Sequence, residues 1–298
     1  MPTDDRVAVH DLEDNHNATI VLTGATAGIG RATALVLAPA AGHLILHGLE
    51  RQDDIADLLR ALRAAMRPDT RLTYVRADYS DLADVEQLAR HIRSATDGID
   101  ILINNAARPG PPTRTVSAAG HEITFQTNYL APVLLTSRII DLIGSGARQG
   151  RIVNVASATH LSATLLLDDL DLAHHPYSAS TAYAHSKLAL VTYSCWLAAH
   201  RPSRSLDAVS MHPGVISTPL LHAMFSVAGD RPEHAAANIH YVASRRDDNG
   251  TYYDERNPTP PNPQATDRAQ QDRLHEATVR ALHLSPRAHV TSERQLPS

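Results

Sequence analysis

Apolar residues in this chain fall into short unbroken runs, which alternate with longer stretches where they recur every third or fourth position. Thr19 to Leu22, Leu44 to Leu46, Leu72 to Val75 and Ile99 to Ile103 are runs of the first kind, each followed closely by glycine, aspartate or asparagine. Arg31 to Leu37, Asp54 to Met66 and Leu82 to Ile92 show the helical spacing. A strand buried on both faces is apolar throughout, so this alternation predicts a parallel sheet covered by helices on both sides.

The pattern continues less regularly. Arg108 to Thr115 is a proline-rich loop, and a helix is expected from about Ala118 to Ile143, kinked near Pro132. Arg151 to Ala156 reads as a strand, Ala182 to Ala199 as a helix and Leu206 to Met211 as a further strand. The long connection from Ser157 to Tyr183 and the segment Val215 to Ala228 leave strand ends, and are expected to line a substrate pocket with Leu165, Met224 and Phe225. A helix near Pro232 to Ala243, a strand at Thr251 to Tyr253, a loop at Pro258 to Pro263 and a helix at Asp267 to Leu282 complete the reading. The sum is one doubly wound, mostly parallel α/β sheet of the Rossmann type with about seven strands. It spans residues 18–284, between a polar extension (1–17) and a polar tail (285–298).

Composition narrows the partner. A net charge of −5 and the lack of a dense Lys/Arg cluster argue against nucleic acid or an anionic membrane and leave a small molecule. No apolar run approaches the ~20 residues of a bilayer span. The acidic first 17 residues lack a signal-peptide core, and the single cysteine, Cys195, fits a reducing compartment, so a cytoplasmic protein is expected. Histidines are numerous, but none has the spacing of a metal site. His160, His174, His175 and His185 read as loop or surface residues, while His185 and His212 flank the expected site.

Two short motifs carry chemistry. Thr23-Gly-Ala-Thr-Ala-Gly28-Ile-Gly30 joins the first strand to the first helix; its glycines let backbone approach a phosphate, and the helix offers free N–H groups and its positive end. Tyr183 and Lys187 stand four residues apart on one helix face, where an ammonium is expected to lower the phenol's pKa towards an acid/base range.

With these motifs, the chain from about Ala18 to Leu284 resembles the short-chain dehydrogenase/reductase family. Thr23 to Gly30 is similar to its T-G-x-x-x-G-x-G loop and Asn104 to Ala107 to its N-N-A-G segment. Asn128, Ser157, Tyr183 and Lys187 match its catalytic set, and Pro213-Gly214 with Thr218 its P-G-x-x-x-T stretch. RIVNVASATH, DDLD, AYAHSKLAL and GTYYDE most resemble the retinol-dehydrogenase-type branch, although the chain is short between Pro213 and Pro232. The resemblance implies an NAD(P)-dependent alcohol dehydrogenase or carbonyl reductase forming a homodimer or homotetramer. Tyr183 would be the general acid/base, Lys187 would tune it and hold the cofactor ribose, Ser157 would bind the substrate oxygen, and Asn128 would hold a water. Thr23, Gly24, Thr26, Ala27, Gly28, Ile29 and Gly30 would bind the cofactor phosphates, Asp78 and Tyr79 its adenine, and Asn105, Ala106, Pro213, Gly214, Val215 and Thr218 its other parts, with Asn104 on the cofactor side of the crevice. An epimerase, dehydratase or cyclase on the same fold, or a nucleotide-binding regulator, are the alternatives.

The cofactor choice rests on the end of the second strand. NAD sites place an acidic residue there, whereas NADP sites offer arginine to the 2′-phosphate. Gly48 and Leu49 stand at the two usual positions, leaving Arg51 and Arg31 against Glu50, so NADP(H) is favoured over NAD(H).

Overall fold

The computed structural model describes residues 17–224 and 228–284, apart from the side chains of Pro219 and Met224. Most of the polar extension, Phe225 and the polar tail lie outside them. Eight strands form one sheet in the order β3-β2-β1-β4-β5-β6-β7-β8. They are β1 (Ala18–Leu22), β2 (Ala41–Gly48), β3 (Arg71–Arg76), β4 (Ile101–Asn104), β5 (Gly150–Val155), β6 (Leu206–His212), β7 (Tyr252–Asp254) and β8 (Asn257–Pro258). All neighbours run parallel except β7 and β8. The antiparallel edge strand β8 falls where the sequence suggests loop, because two residues containing a proline carry no periodicity of their own.

Alternation along each strand separates two cores. Ile20, Leu22, Leu44, Leu46, Ile101 and Ile103 face one side of the sheet, under α1 (Gly28–Leu37) and α2 (Ala56–Ala65). Val21, Ile45, Leu102 and Ile152 face the other, under α3 (Leu82–Ala95) and the helices after β4. The helix expected from Ala118 starts later, with α4 (Ile123–Phe125), since residues 116–122 close a small loop through a Val116–Glu122 bridge. A π-helical turn (Gln126–Leu130) joins it to α5 (Ala131–Ile139). Pro132 is responsible: it has no N–H for the carbonyl four residues back, and Ala131 N–H bonds to Gln126 O instead. The irregularity is therefore a widened turn before Pro132.

α6 (Ala179–Ala199) has no single apolar face, and from Ala182 to Leu197 it is buried apart from the half-buried Ala184 and Cys195. One face meets the sheet; the opposite one is covered from the end of the described chain by α9 (Pro263–Thr266) and α10 (Arg268–Ala281), after α7 (Pro219–Met224) and α8 (Pro232–Ser244). Trp196 of α6 stacks on His275 of α10 at 3.6 Å, and the Tyr129 hydroxyl bonds Thr278 at 2.7 Å. Cys195 is half-buried in α6, its thiol pushed up to about 11 by burial, which makes it unreactive.

The largest fully buried side chain is Arg151 of β5. Its guanidinium makes two hydrogen bonds to Asp248, at 2.6 and 3.0 Å, and one to the Val242 carbonyl at the end of α8, while Tyr253 of β7 donates to the same Asp248. Arg151→Met leaves that carboxylate without its cation, a loss that costs about 3–5 kcal/mol in buried pairs. Urea unfolding of the variant is expected to show a loss of that order; a change below about 1 kcal/mol would mean the pair is dispensable.

Candidate active site

The strand order reverses between β1 and β4, and the carboxyl ends of β1 to β6 open onto one cleft of about 880 Å³ at that point. Its walls are the turns that follow those strands, with Tyr183 and Lys187 from α6.

At the β1 end, Gly24 holds φ +64°, and a Cβ there would lie 2.7 Å from the Ala106 Cα. A Cβ on Gly30 would lie 1.9 Å from the Gly24 carbonyl oxygen, so no other residue fits. Thr23 lies behind the wall: its hydroxyl accepts the amides of Asn105 and Ala106, each at 3.0 Å, and the Asn105 side chain donates to the Thr23 and Gly24 carbonyls. The loops after β1 and β4 are thereby locked together. Ala27 gives α1 no side-chain cap and the first turn has no acidic residue, so amides and positive helix end face the cleft through Ala27, Gly28 and Ile29.

His47, which lies inside the apolar run of β2 and belongs to no motif, ties this loop to its neighbour. The Gly24 amide donates to its Nδ1 at 3.3 Å, which assigns the ring proton to Nε2, 3.0 Å from the Ala77 carbonyl. The ring stacks on Tyr79 with centroids 4.5 Å apart, and burial lowers its pKa to about 4, keeping it neutral. Its only sequence signal was a histidine inside an apolar strand. Asp78 and Tyr79 line the cleft as expected; Asp78 also accepts the Ser80 amide, while Asp81 is the true cap of α3.

At the other end, Ser157 caps a short turn by accepting the Thr159 amide at 3.3 Å, and its hydroxyl is near enough to the Tyr183 phenol to favour the phenolate. The structure therefore brings Ser157, Tyr183 and Lys187 together on one wall. Tyr183 is buried, which pushes its phenol up to about 12, with Ser157 pulling it down. The ammonium of Lys187 lies 5.6 Å from the ring centroid and donates to the Val155 carbonyl at 2.9 Å. Burial takes it down to about 7. The expected lowering of the phenol by its lysine is thus absent in this arrangement, because burial favours the neutral form of both groups. Asn128 sits behind the wall: its Nδ2 donates to the Arg108 carbonyl and to Ser186, and its Oδ1 accepts the Arg108 amide at 2.8 Å.

Ala106, Pro213, Gly214, Val215 and Thr218 all line the cleft, as do Asn105, His212, Leu220 and Leu221. Other expectations fail. Arg31 and Arg51 are exposed and neither lines the cleft, although Gly30 and Glu50 just before them do. Asn104 points into the core, donating to Thr136 and Asn154. Beyond Thr159 the connection to Tyr183 leaves the cleft, and Leu165 packs into the core. His160 and His185 are buried: His160 Nδ1 is 2.7 Å from the Ser157 carbonyl, and His185 stacks on Phe125 and accepts the Leu166 amide. The side chain of Met224 lies outside the described residues. Among the described residues no group of histidine, cysteine, aspartate and glutamate is placed to hold a metal.

The sequence profile described as short chain dehydrogenase matches residues 18–228. This chain belongs to that family. It is 30% identical to mouse retinol dehydrogenase 13 over 287 residues, covering 90% of this chain and 84% of the relative. A crystal structure of an uncharacterized protein from Mycobacterium paratuberculosis aligns with a TM-score of 0.72 at 25% identity, covering 91% and 95% of the two chains. A short-chain dehydrogenase from Burkholderia cenocepacia, solved with NADP, aligns at 0.64 and 21%, covering 81% and 97%. The protein is an NAD(P) oxidoreductase of the retinol-dehydrogenase-like branch. The tight glycine cradle and uncapped helix fit a dinucleotide pyrophosphate. Among the described residues no helix is long and apolar enough to cross a membrane.

His47 gives this site a pH signature. A histidine with pKa 6.5 unfolded and about 4 folded leaves the unfolded state with more protons between those values, so its contribution is complete above pH 6.5 and is lost as pH falls towards 4. The slope is about 1.4 kcal/mol per pH unit at its steepest. His47→Gln is expected to unfold with a shallower pH dependence than wild type across that window, as read from urea midpoints; parallel curves would show that His47 is not held neutral.

Proposed function

We propose that this protein interconverts an alcohol with a ketone or aldehyde on a mainly apolar small molecule. The observation that carries the reading is the convergence of Ser157, Tyr183 and Lys187 on one wall of the cleft. A bound nicotinamide supplies or takes up the hydride. The cradle of Gly24, Gly28 and Gly30 would hold its phosphates and Lys187 its ribose hydroxyls. Tyr183, with its phenol protonated, donates its proton to the carbonyl oxygen in reduction and takes it back in oxidation. Ser157 presents a hydroxyl beside that phenol and stabilises charge developing on the same oxygen. Lys187, with a pKa near 7, holds or releases a proton close to neutrality and, when charged, favours the phenolate. Asn128 acts from behind: clamping both backbone groups of Arg108, it fixes the turn after β4.

Val215, Ile216, Leu220 and Leu221 line the cleft with aliphatic side chains, which supports an apolar substrate. An epimerase, dehydratase or cyclase is the second reading, since one fold hosts many chemistries. The expected homodimer or homotetramer would need a surface other than the outer face of α6, which α10 already covers.

Tyr183→Phe keeps the ring and removes the proton. It is expected to lower kcat on an active alcohol or carbonyl by about 10²-fold or more, with coenzyme affinity nearly unchanged, followed by nicotinamide absorbance and by coenzyme titration. Lys187→Ala is expected to lower both. Turnover of Tyr183→Phe near the wild-type rate would refute the mechanism.

A further inference from the structure

This inference rests on reading the cleft as a dinucleotide site, and concerns which dinucleotide it takes. The end of β2 has no room for a side chain at Gly48: a Cβ there would lie 2.3 Å from Thr26 Cγ2 and 3.0 Å from the Tyr74 hydroxyl. The next residues are pinned from β3, where the Tyr74 hydroxyl donates to the Glu50 carbonyl at 2.6 Å and Arg76 Nε to the Leu49 carbonyl at 2.9 Å. Held this way, both residues line the cleft, Leu49 exposed and Glu50 half-buried. Its Oε2 is wholly buried and has no hydrogen-bond partner among the described residues. The carboxylate is close enough to Tyr74 and His47 to act on both, helping to push the Tyr74 phenol up to about 12.

A buried carboxylate oxygen without a donor is costly, and a pair of ribose hydroxyls supplies donors. A 2′-phosphate brings only acceptors and like charge. The cations that would answer that phosphate are elsewhere, since Arg31 and Arg51 do not line the cleft and Arg76 spends its Nε on Leu49. We propose that Glu50, two residues beyond Gly48, receives the adenosine ribose hydroxyls and makes this enzyme selective for NAD(H) over NADP(H). This reverses the preference read from Arg51 and Arg31 in the sequence.

The test is calorimetric titration of NADH and NADPH into wild type, Glu50→Gln and Arg76→Ala, with melting curves as the control for folding. Wild type is expected to bind NADH tighter by about tenfold or more, the scale of a charge-assisted hydrogen bond gained against a like charge avoided. Glu50→Gln is expected to weaken NADH and narrow the ratio, while Arg76→Ala leaves it in place. Tighter NADPH binding by wild type, or a ratio that Glu50→Gln does not move, overturns the proposal and leaves the dinucleotide reading standing. A selective loss of NADPH in Arg76→Ala would identify a phosphate site instead and overturn it too. If neither coenzyme binds, both readings fall.

Discussion

Lys187 is an ammonium withdrawn from water with a backbone carbonyl, that of Val155, as its hydrogen-bond acceptor. Burial without a carboxylate partner is expensive for a lysine, and it takes the pKa down to about 7. The rest of the fold has to hold it there. β5 must end at Val155 so that the carbonyl is free, and α6 must be anchored firmly enough not to swing the lysine out. Burial of α6 from Ala182 to Leu197 meets the second condition, which is why both the sheet and the C-terminal helices pack against it. A surface helix carrying the same Tyr183 and Lys187 would leave both groups in water, at ordinary pKa values.

The same burial explains which parts of the molecule were legible in its sequence. Apolar runs mark the central strands because they are covered on both faces, and the glycine loop is legible because Gly24 and Gly30 meet backbone that tolerates no Cβ. Tyr183 and Lys187 share a helix face by spacing alone. Direction past a strand end has no such signature. Whether Glu50 or Arg51 turned inward depended on Tyr74 and Arg76, two residues of another strand whose hydrogen bonds set the backbone there. His47 was equally silent, since its partners are main-chain atoms contributed by two other loops.

The connection after Ser157 was misread for a related reason. Its length suggested a pocket wall, yet Leu165 and His160 are drawn inward by residues a hundred positions away: Gln264 accepts the Leu165 amide at 3.0 Å, and the Asn262 amide donates to His160. Local composition cannot reveal cover supplied by a distant segment. At Pro132 the expected disturbance takes the form of a widened π-helical turn that absorbs the missing N–H.

Asn262 has one further effect. Its side-chain amide is shared among the carbonyls of His160, Leu161 and Ala163, the turn that follows Ser157. The serine's surroundings are therefore completed by a residue synthesised long after it. The serine end of the cleft is thus complete only once the chain has been made as far as Asn262, about a hundred residues beyond the serine it supports.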